Sequence, residues 1–304
     1  MTTQTVGNID RKTYIGSSDA AAILGVSPWR TALDVYLDKT SGPEPITPEK
    51  AAIFKRGHRL EPYILDMLED EHGIRLLRFD DGKRSRRHLD KELPFLAAEL
   101  DAETDDGKNV EAKSANFYGK GSWGEQYTDD VPIYYNAQAQ HGMMVRCSQE
   151  TIFPVLIGVD DFRLYHVKRD DEVITYLRQA EIEMWDRIQR LDAPPAKTVS
   201  DIERLFPWDH GSVIQASVEV RDAYLELKDL KKRLKLIESD IGEQESLIKL
   251  FLGEHQVLQF GADKLLTWKS QNTDRFDINT FRAAHPVIAK KYTKTSASRV
   301  LRLK

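Results

Sequence analysis

Five carboxylates fall within eight residues, at Glu99, Asp101, Glu103, Asp105 and Asp106. Such a crowd repels itself unless it is solvated, protonated or neutralised by a cation. On a strand, Glu99, Asp101 and Glu103 would share one face, with Leu100 and Ala102 on the other. In Val110-Glu111-Ala112-Lys113 the same period puts Glu111 and Lys113 on one face while Val110 and Ala112 pack inward. Two neighbouring strands can therefore aim Asp101, Glu111 and Lys113 at a common point. Two carboxylates there suit a hard, octahedral ion such as Mg²⁺, with Mn²⁺ as a substitute. A lysine beside them can orient or deprotonate an attacking water and stabilise negative charge developing on phosphate. That is a layout for metal-assisted phosphodiester hydrolysis. The same Asp-x9-Glu-x-Lys spacing also arises in ordinary solvated acidic hairpins, so the neighbouring elements must carry part of the argument.

Those elements are readable in outline. Ser17 or Ser18 can cap a helix over 20–24, and Ser27-Pro28 begins a second over 29–38. Thr47-Pro48 begins a longer one over 49–71, which Pro62 is expected to kink or divide. Strands are expected over 74–79, 95–103 and 109–114, with turns at Asp81-Gly82 and Thr104–Lys108. A helix follows over 132–146, with Ile133, Ala137, Gln140 and Met144 on one face, then strands over 151–159 and 162–167. An amphipathic helix over 171–190 presents Val173, Tyr176, Leu177, Ala180, Met184, Trp185 and Ile188, and Pro194-Pro195 opens a linker. From Val220 to Phe251 apolar residues recur at intervals of 3, 4, 3, 4, 3, 4, 7 and 3, a heptad line with Gln244 at the skipped position. Gly242 offers the alternative of a helical hairpin. A β-hairpin is expected about Gly261-Ala262-Asp263.

The fold class is thus α/β, a mixed central sheet flanked by helices, with a helical, coiled-coil-type C-terminal extension. The expected organisation is a main domain over 1–192, a linker over 193–213, the helical segment over 214–254 and a small basic module over 255–304. That last module carries ten Lys and Arg against three Asp, in a chain whose formal charge is −5 over 304 residues. Any nucleic-acid surface must therefore be local. The single cysteine, Cys147, excludes an internal disulfide, a four-cysteine zinc site and an iron–sulfur cluster. With no long apolar run and no secretory leader, a cytoplasmic protein is expected, in the host cell if it is phage-encoded.

Four blocks in order resemble the YqaJ-type phage recombination exonucleases, the group that includes bacteriophage lambda exonuclease, within the PD-(D/E)XK nuclease superfamily. They are Ile15-Gly16-Ser17-Ser18-Asp19-Ala20-Ala21-Ala22-Ile23-Leu24-Gly25, Arg56-Gly57-His58-Arg59-Leu60-Glu61-Pro62, Leu100-Asp101 with Val110-Glu111-Ala112-Lys113, and Tyr135-Asn136-Ala137-Gln138-Ala139-Gln140. The resemblance spans roughly residues 10 to 190. It implies a restriction-endonuclease-like core in which Asp101, Glu111 and the Ala112 carbonyl hold the metal and Lys113 is the catalytic lysine. It places Glu61 beside them, positioning water or Lys113. Gln140, with Gln138 as the alternative in register, completes the site. Ser18 binds the terminal phosphate, with Arg11 or Lys12 supplying positive charge. Leu100 stands where the superfamily commonly has proline.

The resemblance further implies 5′-to-3′ digestion of double-stranded DNA ends that leaves a 3′ single strand. It also implies a ring-shaped homo-oligomer, a trimer in the family, and a single-strand annealing protein as partner. The alternatives are another endonuclease or repair nuclease of the superfamily, or a non-catalytic DNA-binding assembly protein built on the heptads. Plain structural readings stand beside these. Ser17 and Ser18 are good helix caps whatever the function, Cys147 reads as a small buried side chain, and Trp29 and Trp123 as core or loop anchors. Lys83, Arg84, Arg86 and Arg87 read as a solvated basic loop or a phosphate-tracking patch. The basic C-terminal module reads as a DNA-binding extension or a docking surface.

Overall fold

The computed structural model describes residues 10–42, 46–79, 87–295 and 298–303, without the side chains of 118–120. Lys12 and Arg87 are among the described residues. Lys83, Arg84, Arg86 and the Asp81-Gly82 turn lie outside them. The chain divides into two compact units, one ending at Leu205 and the other beginning at Phe206.

In the first unit a 3-10 turn, Arg11–Thr13, leads into β1 (Ile15–Gly16) and α1 (Ser17–Ile23). α2 (Ala32–Thr40) begins later than the sequence suggested. The Ser27 hydroxyl instead accepts the Trp29 and Arg30 amides at 3.3 and 3.2 Å, closing a turn that leaves Thr31 and Asp34 to cap the helix reciprocally. α3 (Pro48–His72) is capped by Thr47 and stopped by Gly73 in the left-handed region, where a glycine is strain-free. Pro62 does not divide it. One amide donor is lost, and burial of Ile64, Leu65 and Leu68 in the turns just after holds the helix continuous.

β2 (Leu76–Arg78), β3 (Arg87–Leu89), β4 (Leu96–Glu99), β5 (Ala102–Thr104), β6 (Asn109–Val110) and β7 (Lys113–Ala115) precede α4 (Ile133–Arg146). β8 (Glu150–Ile157), β9 (Asp161–Lys168), α5 (Asp171–Arg190) and α6 (Val199–Leu205) complete the unit. β4 lies between β1, to which it is parallel, and β3, to which it is antiparallel. A second, mixed sheet runs β2-β5-β6-β8, with β7 and β9 also paired to β8. β6 and β7 are successive pieces of one path, both parallel to β8.

Two expected strands are therefore interrupted. The path over 95–103 leaves one sheet at Glu99 and enters the other at Ala102, and the path over 109–114 breaks at Glu111-Ala112. Leu65, Leu68, Ala102, Val110, Ile152 and Leu164 form the core under α3. Ile15, Leu33, Leu96, Ala98, Met144, Ile174, Met184 and Ile188 form the core joining α1, α2, α4 and α5 to β4. Trp123 is a core residue, packed with Phe153 and Tyr165. Trp29 is exposed and meets the Tyr134 ring edge-on.

The buried line of α5 is Ile174, Leu177, Glu181, Met184 and Ile188, whereas Val173 and Tyr176 face outward. Ile133 is likewise exposed on α4. Cys147 is exposed rather than buried, because it closes α4 in the left-handed region with φ 59° and its side chain projects from the helix end. Residues 193–205, expected as linker, fold onto the first unit. Buried Asp201 accepts from the Thr31 hydroxyl at 2.9 Å, and Arg204 pairs with Asp34.

The second unit starts with α7 (Val218–Leu252), capped by Ser217. Gly242 does not fold it into a hairpin. A helical glycine costs only about 1 kcal/mol, small over 35 residues. β10 (Val257–Phe260) and β11 (Asp263–Thr267) form the expected antiparallel hairpin, with Asp263 inside the strand rather than in the turn. α8 (Ile278–Ala284) and α9 (Pro286–Tyr292) follow.

Candidate active site

Both strand interruptions open onto one cavity. It has a volume of about 330 Å³ and is lined by Arg11, Tyr14, Gly16, Ser17, Ser18, His58, Glu61, Ala97, Glu99, Asp101, Glu111, Ala112, Lys113 and Gln138. Backbone bonds hold the catalytic candidates in place. The Asp101 amide donates to the Val110 carbonyl at 3.2 Å and the Glu111 amide to the Ile152 carbonyl at 3.0 Å. The Asp101 carboxylate accepts the Ala112 amide at 2.9 Å, which ties the two broken paths together.

Glu111 is nearly buried, and one of its oxygens, Oε2, accepts from Lys113 Nζ at 2.9 Å and from Gln138 Nε2 at 2.8 Å. Burial opposes the charge on Lys113, but Glu111 and Asp101 more than offset it and hold the lysine pKa above its ordinary value. Lys113 is therefore an ammonium at neutral pH, with its Nζ 5.3 Å from the centre of the Tyr135 ring. Burial also raises the Tyr135 pKa.

Of the two candidate glutamines, one reaches the cavity. Gln138 lines the cavity and bonds Glu111, whereas Gln140 is buried on another side of α4. Gln140 donates to the Lys168 carbonyl at 2.9 Å and accepts the Asp170 amide at 2.9 Å, so it anchors the start of α5. Two residues along a helix turn the side chain by about 200°, so both could not reach one site. Glu103 is also elsewhere, paired with Arg146, and Asp106 pairs with Lys108.

Ser18, Arg11 and Glu61 all line the cavity as expected. Lys12 is not among the lining residues. Of the other lining residues, Tyr14 was not singled out from sequence, and His58 and Glu99 were given no role at the site. The Tyr14 hydroxyl donates to Glu99 at 3.2 Å, and the Arg87 guanidinium lies 3.7 Å over the Tyr14 ring. Lys39 was also missed, although it fixes the arm that carries Arg11 and Ser18. Its buried ammonium donates to the Arg11 carbonyl at 2.9 Å and pairs with Asp19 at 2.8 Å. Asp19 in turn accepts the Gly16 amide at 3.1 Å and pairs with Arg30 at 2.9 Å. A basic residue on an amphipathic helix gives no sequence signal of that role.

The acidic groups of the cavity lining are Asp101, Glu111, Glu99 and Glu61, with Ala112 able to add a backbone carbonyl. Among the described residues no three His, Cys, Asp or Glu side chains converge on one point. Two carboxylates and a carbonyl fit a hard divalent cation that keeps several waters, and do not fit zinc.

Residues 9–149 match the model of the YqaJ-like viral recombinase domain. Over that span the chain resembles the YqaJ-like viral recombinase domain, in agreement with the four sequence blocks. The chain is 27% identical over 295 residues to "Uncharacterized protein YqaJ" of Bacillus subtilis (strain 168), covering 94% of this chain and 89% of that one. Among solved structures it is similar to an alkaline exonuclease (LHK-Exo) from Laribacter hongkongensis. There the TM-score is 0.48 at 16% identity, with 60% of this chain and 91% of that chain covered. A phage-related exonuclease from Haemophilus somnus 129PT gives a TM-score of 0.45 at 13% identity, with 59% and 94% covered. LHK-Exo has also been solved in complex with dAMP. No helix among the described residues is long and apolar enough to cross a membrane.

Proposed function

We propose that this protein is a metal-dependent exonuclease acting on double-stranded DNA ends, 5′-to-3′, and producing 3′ single strands for recombination by annealing. The observation that carries the reading is the juxtaposition of Asp101, Glu111 and Lys113 in one cavity, with Gln138 bonded to the same Glu111 oxygen as Lys113. Asp101, Glu111 and the Ala112 carbonyl would hold Mg²⁺ or Mn²⁺, which supplies Lewis-acid polarisation of the phosphate and a readily deprotonated water. Lys113, held as an ammonium, stabilises charge on the phosphate oxygens in the transition state. Gln138 orients Glu111 through its amide, and Glu61 positions water from the facing helix. Arg11 and Ser18, which also line the cavity, bind the terminal phosphate. A ring-shaped homo-oligomer, a trimer by the family resemblance, and a single-strand annealing partner belong to the same reading.

The test uses purified full-length protein with Mg²⁺ on linear duplexes bearing 5′-phosphate or 5′-hydroxyl ends. Closed circular duplex, EDTA and a Lys113→Ala variant serve as controls. The reading expects digestion of linear DNA from its 5′-phosphate end, lost in EDTA and reduced at least about 10²-fold in the variant. Cutting of closed circles would replace it with an endonuclease. Cleavage of neither form would remove the catalytic assignment and leave a DNA-binding protein.

A further inference from the structure

The long helix of the second unit has an apolar line that no other described element of that unit covers. Leu230, Leu234, Ile237 and Ile241 alternate by four, three and four residues, yet are 47, 54, 53 and 53% exposed. A line with a mean period of 3.5 residues is the seam of a coiled coil, since an ordinary helix packed on a globular body buries a broader face. Written as heptads, Leu227, Leu234 and Ile241 occupy the first core position, and Leu230, Ile237 and Gln244 the second.

We propose that α7 pairs in parallel and in register with α7 of a second copy of this chain. Two observations select that occupant and orientation. In register, the flanking positions bring Glu226 of one copy to Lys231 of the other, and Arg233 to Glu238, two attractive pairs in successive heptads repeated on both sides of the seam. Arg233, which pairs with Asp229 in the isolated helix at 2.8 Å, keeps a carboxylate neighbour throughout. The one like-charged juxtaposition, Asp240 with Glu245, is softened because Glu245 is already paired with Lys249 at 2.6 Å.

The second observation is Gln244. In the parallel register it meets the other copy's Gln244, and the two amides can bond each other. Antiparallel pairing sets first core positions against second ones, so at any offset Gln244 would face Val, Leu or Ile with its amide unsatisfied. A single polar layer thus fixes both direction and register. The inference does not depend on the nuclease reading, because it uses only the second unit; beside a trimeric ring, the two-fold pairs would join copies of different rings.

The test is disulfide trapping in the full-length chain. With Cys147 replaced (Cys147→Ser), single cysteines are introduced at the core position (Ile237→Cys) or on the outer face (Ser239→Cys). Circular dichroism checks that both retain their helix content. On mild oxidation Ile237→Cys should form covalent dimers at least about a hundredfold faster than Ser239→Cys, the ratio of a millimolar effective concentration at a paired seam to a micromolar protein solution. No cross-linking at 237, or equal rates at 237 and 239, would overturn the proposal. Efficient linkage only between a Leu234→Cys chain and an Ile237→Cys chain would overturn the parallel register and assign an antiparallel one.

Discussion

Replacing His141 with leucine should be among the most damaging single changes in the first unit, although His141 does not line the cavity. Its side chain and that of Glu181 are both 0% exposed and 2.6 Å apart. The other ring nitrogen lies 3.0 Å from the carbonyl of Ala97, a cavity-lining residue. The Ala97 carbonyl accepts from one ring nitrogen, and the other shares a proton with the Glu181 carboxyl, which favours positive charge on the ring. Burial opposes that charge, but Glu181 and the Ala97 carbonyl offset it and raise the histidine pKa. Burial likewise raises the pKa of Glu181, whose Oε2 has no hydrogen-bond partner among the described residues.

His141→Leu therefore strands a buried carboxylate and a carbonyl at once. Breaking such a pair costs roughly 3–5 kcal/mol, which for a unit of this size lowers Tm by about 6–20 °C. The double change His141→Leu with Glu181→Leu removes the stranded charge and should recover most of the loss, because apolar replacement of both partners is often neutral. Calorimetry of the wild type, both single variants and the double variant closes a mutant cycle. A loss below about 1 kcal/mol in His141→Leu, or additive losses in the double variant, would refute the assignment of a coupled buried pair.

Three further outcomes are expected. Gln138→Ala should reduce DNA hydrolysis about tenfold or more with little change in Tm, whereas Gln140→Ala should leave the rate per folded molecule intact and cost about 2 kcal/mol; parallel kinetics and melting curves separate the two. Stability should fall on acidification. For Asp19, burial opposes the charge but Lys39, Arg30 and the Gly16 amide hold its pKa low. For Asp90, burial is similarly offset by Arg178 and the Leu93 and Glu92 amides. A carboxylate depressed in the folded state stabilises above its unfolded pKa, about 3.9, and loses that contribution as pH falls through the folded value. The contribution of these two pairs to Tm should thus be constant above about pH 5 and drop below about pH 4, less so in Asp90→Asn; no fall on the acid side would contradict these pairs. Lys39→Met should weaken discrimination between 5′-phosphate and 5′-hydroxyl ends, with partial rescue by Lys39→Arg, and unaltered discrimination in a folded variant would contradict its hold on the Arg11 arm.

How much of this could be read from sequence varies by element. α5 was bounded correctly because an aspartate cap, an uninterrupted 3.6-residue period and a terminal Leu-Asp-Ala-Pro all agree. Its buried line was not, since Glu181 occupies a core position that hydrophobicity alone assigns to solvent, and only His141, 40 residues earlier, explains it. Asp101, Glu111 and Lys113 were found by type and spacing, but the reason first given for their convergence was incomplete. They meet because two paths break at the site, not because two unbroken strands alternate their faces. The choice between Gln138 and Gln140 depended on the rotation of α4, which an error of one residue in packing reverses. Lys39 acts through a backbone carbonyl and Cys147 through a left-handed helix end, and neither leaves a trace in residue type.

The hairpin joining the two broken paths bears on how variable this site can be. Ala102 is opposite Val110 and Glu103 opposite Asn109, so the pairing of β5 with β6 sets where Asp101 stands relative to Glu111. The tip beyond that pairing, 104–108, turns on Thr104, Gly107 and Lys108, away from the cavity lining. The interval of nine residues between the two carboxylates is therefore a property of the tip, not of the chemistry. Insertions at the tip that preserve the ladder should be tolerated, since a few added loop residues cost little closure entropy. A single residue inserted between Ala102 and Thr104, or between Asn109 and Glu111, would instead shift one carboxylate by a strand position and turn it from the cavity.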